Sequence, residues 1–139
     1  MNFDLKFIIF FKVLGQPVAM ARPRMTKSGR VYIPKKSNDH MKLIATTVKE
    51  LGFPEIKGPV KLIIDFYHKR PKTMKGDKQK YKVTRPDLDN LIKCVCDGVT
   101  KGYGWKDDSQ VCNLSAHDYY CGSDDQPRTI ITIFEIIER

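Results

Sequence analysis

The sequence RPDLDNLIKCVCDGVTKGYGWKDDSQV occupies residues 85–111 and predicts an amphipathic helix with carboxylates at both ends. The apolar side chains recur every three or four residues, as they do on one helix face: Leu88, Leu91, Ile92, Val95 and Val99. Pro86 disfavours helical conformation at the residue before it, and the pair Gly102 and Gly104 is a typical helix end. We therefore expect a helix from near Leu88 to this glycine pair, preceded by extended chain.

The rest of the chain predicts strands and one more helix around this segment. A strand over 3–13 is followed by a basic irregular region with a short strand at 31–33, a helix from a cap at Ser37 or Asn38 to about Leu51, a strand over 60–67, a basic loop over 69–85, and strands near 109–120 and 128–137. A length of 139 residues and 41% hydrophobic residues fit one domain, residues 1–139, with its own core.

Charge is divided unevenly along the chain. The formal net charge is +9, but residues 1–85 hold 20 basic and 6 acidic side chains, whereas residues 86–139 hold 5 and 10. Folding alone does not require such a division. A compact acidic group within a basic protein indicates a divalent cation held against a polyanion, and so metal-dependent chemistry on nucleic acid.

The sequence contains no convincing membrane or export segment. The apolar run at residues 7–11 lies between Lys6 and Lys12 and is far too short to cross a bilayer, so a buried strand is expected there. Of the four cysteines, Cys94 and Cys96 point to different sides of the predicted helix. We expect reduced thiols in a cytoplasmic protein, with neither a zinc site nor a disulfide.

The acidic residues have a geometry that suits a metal ion. In extended chain, residues two apart face the same side, so Asp87 and Asp89 are expected to approach one ion together. Lys93 follows Asp89 by one helical turn, and Asp97 follows Lys93 by another. The pair Asp107–Asp108 returns after the glycine-rich turn, in a span able to reach the helix start, and only one of the two is expected to face the ion.

Clustered carboxylates need a neutralising cation, and Mg²⁺ is the natural one because it prefers oxygen ligands shared with phosphate and water. Such an ion polarises a phosphodiester, and Lys93 is placed to stabilise phosphate charge. Each element also has an ordinary interpretation. Asp87 or Asp89 could cap the helix, Lys93 could pair with Asp89 or Asp97 on the surface, and Asp107–Asp108 could form a turn.

The two motifs RPDLDNLIK and WKDDSQV, with a helix between them, resemble the signature of the RusA family of Holliday junction resolvases. A weaker resemblance to phage-type members covers residues 15–36, which suggests a prophage origin. The resemblance implies a small α/β (α+β) domain with a mixed sheet and two main helices. It also implies a homodimer that uses Mg²⁺, with Mn²⁺ as a substitute, to cut four-way DNA junctions symmetrically. The catalytic residues would be Asp87, Asp89, Lys93 and Asp108, with the three aspartates as metal ligands; Pro86 departs from the family pattern.

Basic residues within 22–36 and 69–85, ahead of the first aspartate, form the expected DNA-binding set. They are Arg22, Arg24, Lys27, Arg30, Lys35, Lys36, Lys69, Arg70, Lys72, Lys75 and Arg85. Tyr81 or Tyr103 is available to stack on an unpaired base, and Trp105 is expected to be a core anchor. Two alternatives stay open: a DNA-binding module without catalysis, and a metal nuclease acting on other branched or duplex DNA.

Overall fold

The computed structural model describes residues 1–139 and consists of a mixed sheet with two helices. The elements are β1 (Phe3–Leu14), β2 (Arg24–Met25), β3 (Val31–Tyr32), α1 (Lys35–Leu51), β4 (Val60–His68), β5 (Lys80–Tyr81), α2 (Leu88–Lys101), β6 (Val111–Tyr120) and β7 (Arg128–Glu138). Five strands form the sheet in the order β1-β7-β4-β6-β5, and β2 and β3 form a separate ribbon. Only β4 and β6 run parallel, so the expected α+β class with a mixed sheet and two main helices is confirmed.

The core lies between the helices and one face of the sheet. Alternate residues of β4, from Val60 to Phe66, are buried on this face together with Ile131 and Ile133 of β7. Leu91, Val95 and Val99 of α2 are fully buried and belong to the same cluster, as does Trp105. The expected apolar face of α2 and the anchoring role of the tryptophan are both confirmed.

The two helices cross at very short range because α2 carries glycine where it meets α1. A Cβ atom added to Gly98 would lie 2.7 Å from Ile44 Cβ, and one added to Gly102 would lie 2.6 Å from the Ala45 carbonyl oxygen. The same crossing buries Cys94 with Met20 and Met41, while Cys96 faces the main core on the other side. Burial raises the pKa of both thiols to about 12.

The start of α1 differs from the expectation. The helix begins at Lys35 after Pro34, and neither Ser37 nor Asn38 caps it. Ser37 lies inside the first turn, where its hydroxyl donates to the Ala19 carbonyl at 2.8 Å and accepts from the Ala21 N–H at 3.0 Å. The serine therefore bonds to the irregular segment before β2 instead of to its own helix end, and these two bonds fasten that segment to α1.

The basic segment 69–85 is not a simple loop, since it contains β5, which pairs with the end of β6. Arg70 organises the segment: its two terminal nitrogens donate to the carbonyls of Lys75, Gly76, Lys78 and Cys121 at 2.7–3.3 Å. The remaining N–H, at Nε, is buried. These bonds of the terminal nitrogens give Arg70 a structural role, and its expected contact with DNA stays a prediction.

The opposite face of the sheet has no covering layer within the chain. Along β1, the side chains of Phe3, Leu5, Phe7 and Phe10 are 41–57% exposed. They lie beside Phe134 and Ile136 of β7, which are half-buried. The apolar strand expected over residues 3–13 is confirmed, but only one of its faces is buried.

No helix is long and apolar enough to cross a membrane.

Candidate active site and nucleic-acid surface

Asp87 stands immediately before α2 with an extended backbone, at φ −70° and ψ 147°. Extended chain before the helix was expected, and it is confirmed. Aspartate is a favoured capping residue, but the Asp87 side chain accepts no capping hydrogen bond here. Its carboxylate is exposed and therefore remains available to a ligand.

Asp89, Lys93 and Asp97 line the polar face of α2, one turn apart, as the spacing predicted. Asp89 is exposed, and its Oδ1 accepts the N–H of Asn90 at 2.9 Å. Lys93 Nζ lies 3.4 Å from Asp97 Oδ2. This ion pair agrees with the alternative in which Lys93 simply pairs with Asp97 on the protein surface. Because the lysine side chain is 59% exposed, the pair holds it only weakly and leaves it able to turn toward another anion.

Asp107 and Asp108 have separate roles, as expected for neighbours that face different ways. Asp107 caps a single turn of 3₁₀ helix over Asp108–Gln110: it accepts the Ser109 N–H at 2.9 Å, and Gln110 Oε1 accepts the Asp107 N–H at 3.1 Å. The bonds from Ser109 lower the pKa of Asp107. An acid followed by glutamine three residues later is the sequence sign of a capping box, and it identifies Asp107 as structural.

Asp108 does not lie where we expected it. Its Oδ1 accepts the hydroxyl of Thr100 at 3.1 Å, and that hydroxyl accepts the indole N–H of Trp105 at 2.7 Å. Thr100 is in the last turn of α2, thirteen residues after Asp87, or about 20 Å along the helix axis. The expectation that this span folds back to the helix start is therefore wrong for the single chain.

The direction of β6 explains this position. Asp108 lies on Thr100 just before β6 begins at Val111, whereas residues 116–118 of β6 share a groove with Asp87 and Leu88, so β6 begins beside the end of α2 and runs back toward the helix start. The carboxylate that β6 brings to the helix start is Asp118. In the single chain, no three side chains of His, Cys, Asp or Glu lie close enough together to hold a metal ion.

Asp118 is a residue that the sequence analysis missed. It is 8% exposed, and its Oδ1 lies 2.6 Å from Nε2 of His68, which is 1% exposed. The other ring nitrogen of His68 bonds the Gln16 side-chain amide at 3.1 Å. The partners lie 50 and 52 residues apart, so no local pattern identifies them. The network ties β4, β6 and the end of β1 together behind the start of α2.

Asp87 lies between two grooves. The larger, about 650 Å³, is lined by residues 81–88 and 116–118, and the smaller, about 460 Å³, by residues 19–22, 85–87 and Asn90. Arg85 lines both of them. Arg22 lines the smaller groove and also a third, about 230 Å³, that contains Lys93 and Asp97. The Met20 N–H donates to the Asn90 carbonyl at 2.9 Å, which holds this basic segment against the helix start.

The other predicted DNA-binding residues are exposed and occupy two surfaces. The ribbon of β2 and β3, with the start of α1, presents Arg24, Lys27, Arg30, Lys35 and Lys36; the segment after β4 presents Lys69, Lys72 and Lys75. Lys35 pairs with Asp39 at 2.5 Å, and this pairing raises the lysine pKa. Cations therefore flank the exposed aspartates, and Arg22, Lys82 and Arg85 line the grooves that contain Asp87.

Comparisons with known proteins agree with the motifs. A family model described as Endodeoxyribonuclease RusA matches residues 15–134. The chain is also 34% identical over 142 aligned residues to the "Uncharacterized protein YqaN" of Bacillus subtilis (strain 168), covering 92% of this chain and 96% of that protein. The family match extends from the end of β1 almost to the end of β7 and includes both acidic motifs, the helix between them and the flanking basic segments. From this match it follows that the chain belongs to the RusA family of endodeoxyribonucleases.

Proposed function

We propose that this protein is a divalent-metal-dependent endodeoxyribonuclease that resolves four-way DNA junctions by paired, symmetric cuts. The observation that carries the proposal is the start of α2, where Asp87 and Asp89 are both exposed and neither caps the helix through the usual side-chain bond. Grooves lined by Arg22 and Arg85 lead to Asp87, so a phosphate backbone has cationic contacts on both sides of it. Membership of the RusA family supports cleavage of DNA by this surface.

The donors at the helix start suit Mg²⁺, with Mn²⁺ as a substitute. Mg²⁺ is commonly held by one or two carboxylates, with water and substrate phosphate completing its ligands. Asp87 and Asp89 offer carboxylate oxygens of that kind. When bound, the ion would supply Lewis-acid polarisation of the scissile phosphate and a more acidic water.

The chain's own side chains have distinct roles in this proposal. Arg22 and Arg85 bind the phosphates on either side of the scissile one. Lys93, one turn beyond Asp89, leaves its weak contact with Asp97 and donates to the charged phosphate oxygens. Our prediction that Asp108 joins Asp87 and Asp89 requires the two ends of α2 to be brought to one phosphate group in the DNA-bound dimer.

Symmetric cutting requires two sites related by a two-fold axis, and we propose that a second copy covers the open face of β1 and β7. The three phenylalanines of β1 that lie on this face, Phe3, Phe7 and Phe10, are each about half exposed, which leaves about 300 Å² of aromatic surface in water before their neighbours are counted. Large monomer patches reach about 300–600 Å², and a standard interface covers about 800 Å² on each partner. Leu5, Leu14, Phe134 and Ile136 extend the apolar face beyond these three rings. Phe7→Glu should give a monomer in sedimentation, whereas a wild-type monomer at micromolar concentration would contradict this interface.

Cleavage of a labelled synthetic four-way junction tests the function directly. Wild type and Asp87→Asn are compared in Mg²⁺ and in EDTA, with a flap and a plain duplex of the same sequence at one salt concentration. Paired nicks confined to the junction that require both Mg²⁺ and Asp87 would establish the proposal. Equal cutting of flap or duplex would indicate a nuclease with a different target, and tight junction binding without cleavage in any metal would indicate a binding module.

A further inference from the structure

A row of four stacked side chains crosses the open face of the sheet, one from each of four neighbouring strands. Arg128 of β7 pairs with Tyr67 of β4, Tyr67 with Tyr119 of β6, and Tyr119 with Tyr81 of β5. The ring centroids of Tyr67 and Tyr119 are 5.3 Å apart and those of Tyr119 and Tyr81 are 5.0 Å apart, with interplanar angles of 28° and 36°. The rings of Tyr67 and Tyr119 are stacked, and the ring of Tyr81 packs against Tyr119 at a tilt.

The two ends of the row differ. At one end the guanidinium of Arg128 lies 4.0 Å from the Tyr67 ring centroid and closes the stack. At the other end Tyr81 lies on the edge strand of the sheet and is 68% exposed. Cross-strand aromatic pairs commonly stabilise sheets, which accounts for Tyr67 and Tyr119. Tyr81 pairs with Tyr119 in the same way, but the outer side of its ring, on a two-residue edge strand, faces water.

The open end of the row lies at the candidate active site. Tyr81 lines the same groove as Lys82, Arg85 and Asp87. Lys82 Nζ donates to the carbonyls of Thr84 and Arg85 at 2.6 and 2.9 Å, which fixes the chain between the tyrosine and the aspartate. A flat ligand on Tyr81 that carries a phosphate would therefore share this groove with Arg85 and Asp87.

We propose that Tyr81 is a stacking site for one unpaired nucleobase, which extends the row by a ring and positions the adjoining phosphate at Asp87. Every base has a π-face, so this site selects unstacked DNA without reading its sequence. The proposal deepens the proposed function, because a junction that is being cut offers such a base at its branch point. Stacking itself needs neither metal nor cleavage.

Binding of single strands in EDTA tests the site separately from catalysis. A labelled short oligothymidylate is compared with an abasic strand of equal length and charge, for wild type, Tyr81→Ala and Tyr81→Phe. We expect Tyr81→Ala to weaken oligothymidylate binding about 5- to 150-fold, the range for loss of one aromatic–base stack, and to leave abasic binding within about twofold. Tyr81→Phe keeps the ring and should bind like wild type. Tyr103→Ala decides between the two tyrosines that the sequence offered for stacking: Tyr103 is 67% exposed but lies after the far end of α2 and outside both grooves of Asp87, so we expect oligothymidylate binding to stay within about twofold, and a loss equal to that of Tyr81→Ala would contradict the site.

A second measurement covers the possibility that the alanine variant unfolds. Tyr81→Trp places a fluorophore at the site, and Trp105, fully buried, gives a constant background. Quenching by oligothymidylate but not by the abasic strand would support stacking. Equal quenching by both strands, or unchanged affinity of a folded Tyr81→Ala, would overturn the inference. If Tyr81-dependent binding is found without junction cleavage, the proposed function fails and this site stands; Asp87-dependent cleavage with no Tyr81 effect gives the reverse result.

Discussion

The two ends of α2 carry aspartates of the same chemical type in opposite structural situations. At the start, Asp87 and Asp89 are exposed beside basic grooves, and their side chains do little for the fold. At the end, Asp107 holds a capping box and Asp108 bonds to Thr100, which is fastened to the buried Trp105. The comparison teaches that hydrogen bonds already made within the fold distinguish the two pairs: those at the end of α2 are engaged by the protein, and those at its start are left exposed.

The largest expected effect comes from removing one carboxylate at each end. Asp87→Ala should lower junction cleavage at least about 100-fold, because its charge acts on the reacting phosphate and not on the fold. Its unfolding temperature should stay near that of wild type, while Asp107→Ala should cleave normally but unfold at a lower temperature. Initial cleavage rates and thermal unfolding of both variants check this, and the reverse pattern would break the comparison.

A smaller loss of cleavage is expected for a substitution at Asp108. This residue is the sharpest test of the comparison, because it bonds to the fold and is also a predicted metal ligand. Asp108→Asn keeps an acceptor for the Thr100 hydroxyl but loses the charge. If Asp108 reaches the substrate in the dimer, cleavage should fall about 10- to 100-fold with unfolding unchanged. We expect this loss, and full activity in the folded variant would leave Asp108 with the scaffold at its end of the helix.

The middle of α2 holds its two ends in register, and a substitution there should lower the free energy of unfolding. Gly98→Ala would place a methyl group 2.7 Å from Ile44 Cβ, so overpacking should cost about 1–3 kcal/mol even though alanine normally favours helix over glycine. Denaturant unfolding measures the loss. Lys101→Ala, exposed in the last turn, is the control and should stay within about 0.5 kcal/mol. Equal stability of the two variants would mean that the helices can separate to make room.

The smallest effect is a pH dependence confined to the far end of the helix. The pKa of Asp107 is lowered in the folded protein from its ordinary 3.8 by hydrogen bonds from Ser109. Its contribution to stability is therefore complete above about pH 3.8 and is lost as the pH falls through the lower folded-state pKa. Asp107→Asn retains a capping side chain that does not titrate, so its unfolding temperature should fall less steeply below pH 3.8. Parallel curves for the two proteins would show that Asp107 contributes nothing there.

The local part of this structure was predictable from sequence, and the part that depends on distant contacts was not. The period of apolar residues located α2 and its buried face, and alternation located β4. The partners of Asp118 and the carbonyls around Arg70 are brought together only by the order of strands in the sheet. Asp108 was placed wrongly for the same reason, because its position depends on where β6 begins and in which direction it runs. The capping box of Asp107 is a local feature that we did not predict, although its sequence sign lies within four residues.

The carbonyl contacts of Arg70 have a consequence for how this protein can change over time. The guanidinium of Arg70 maintains the path of the segment 69–80 through four backbone carbonyls, and the lysine side chains of the segment make none of these bonds. Lys72, Lys75 and Lys78 can then be exchanged without cost to the fold, while Arg70 cannot be exchanged even for lysine, which lacks the forked donors. In the proposed function this leaves the contact of the segment with the DNA backbone, and its salt dependence, adjustable through the lysines alone, without a change at the start of α2.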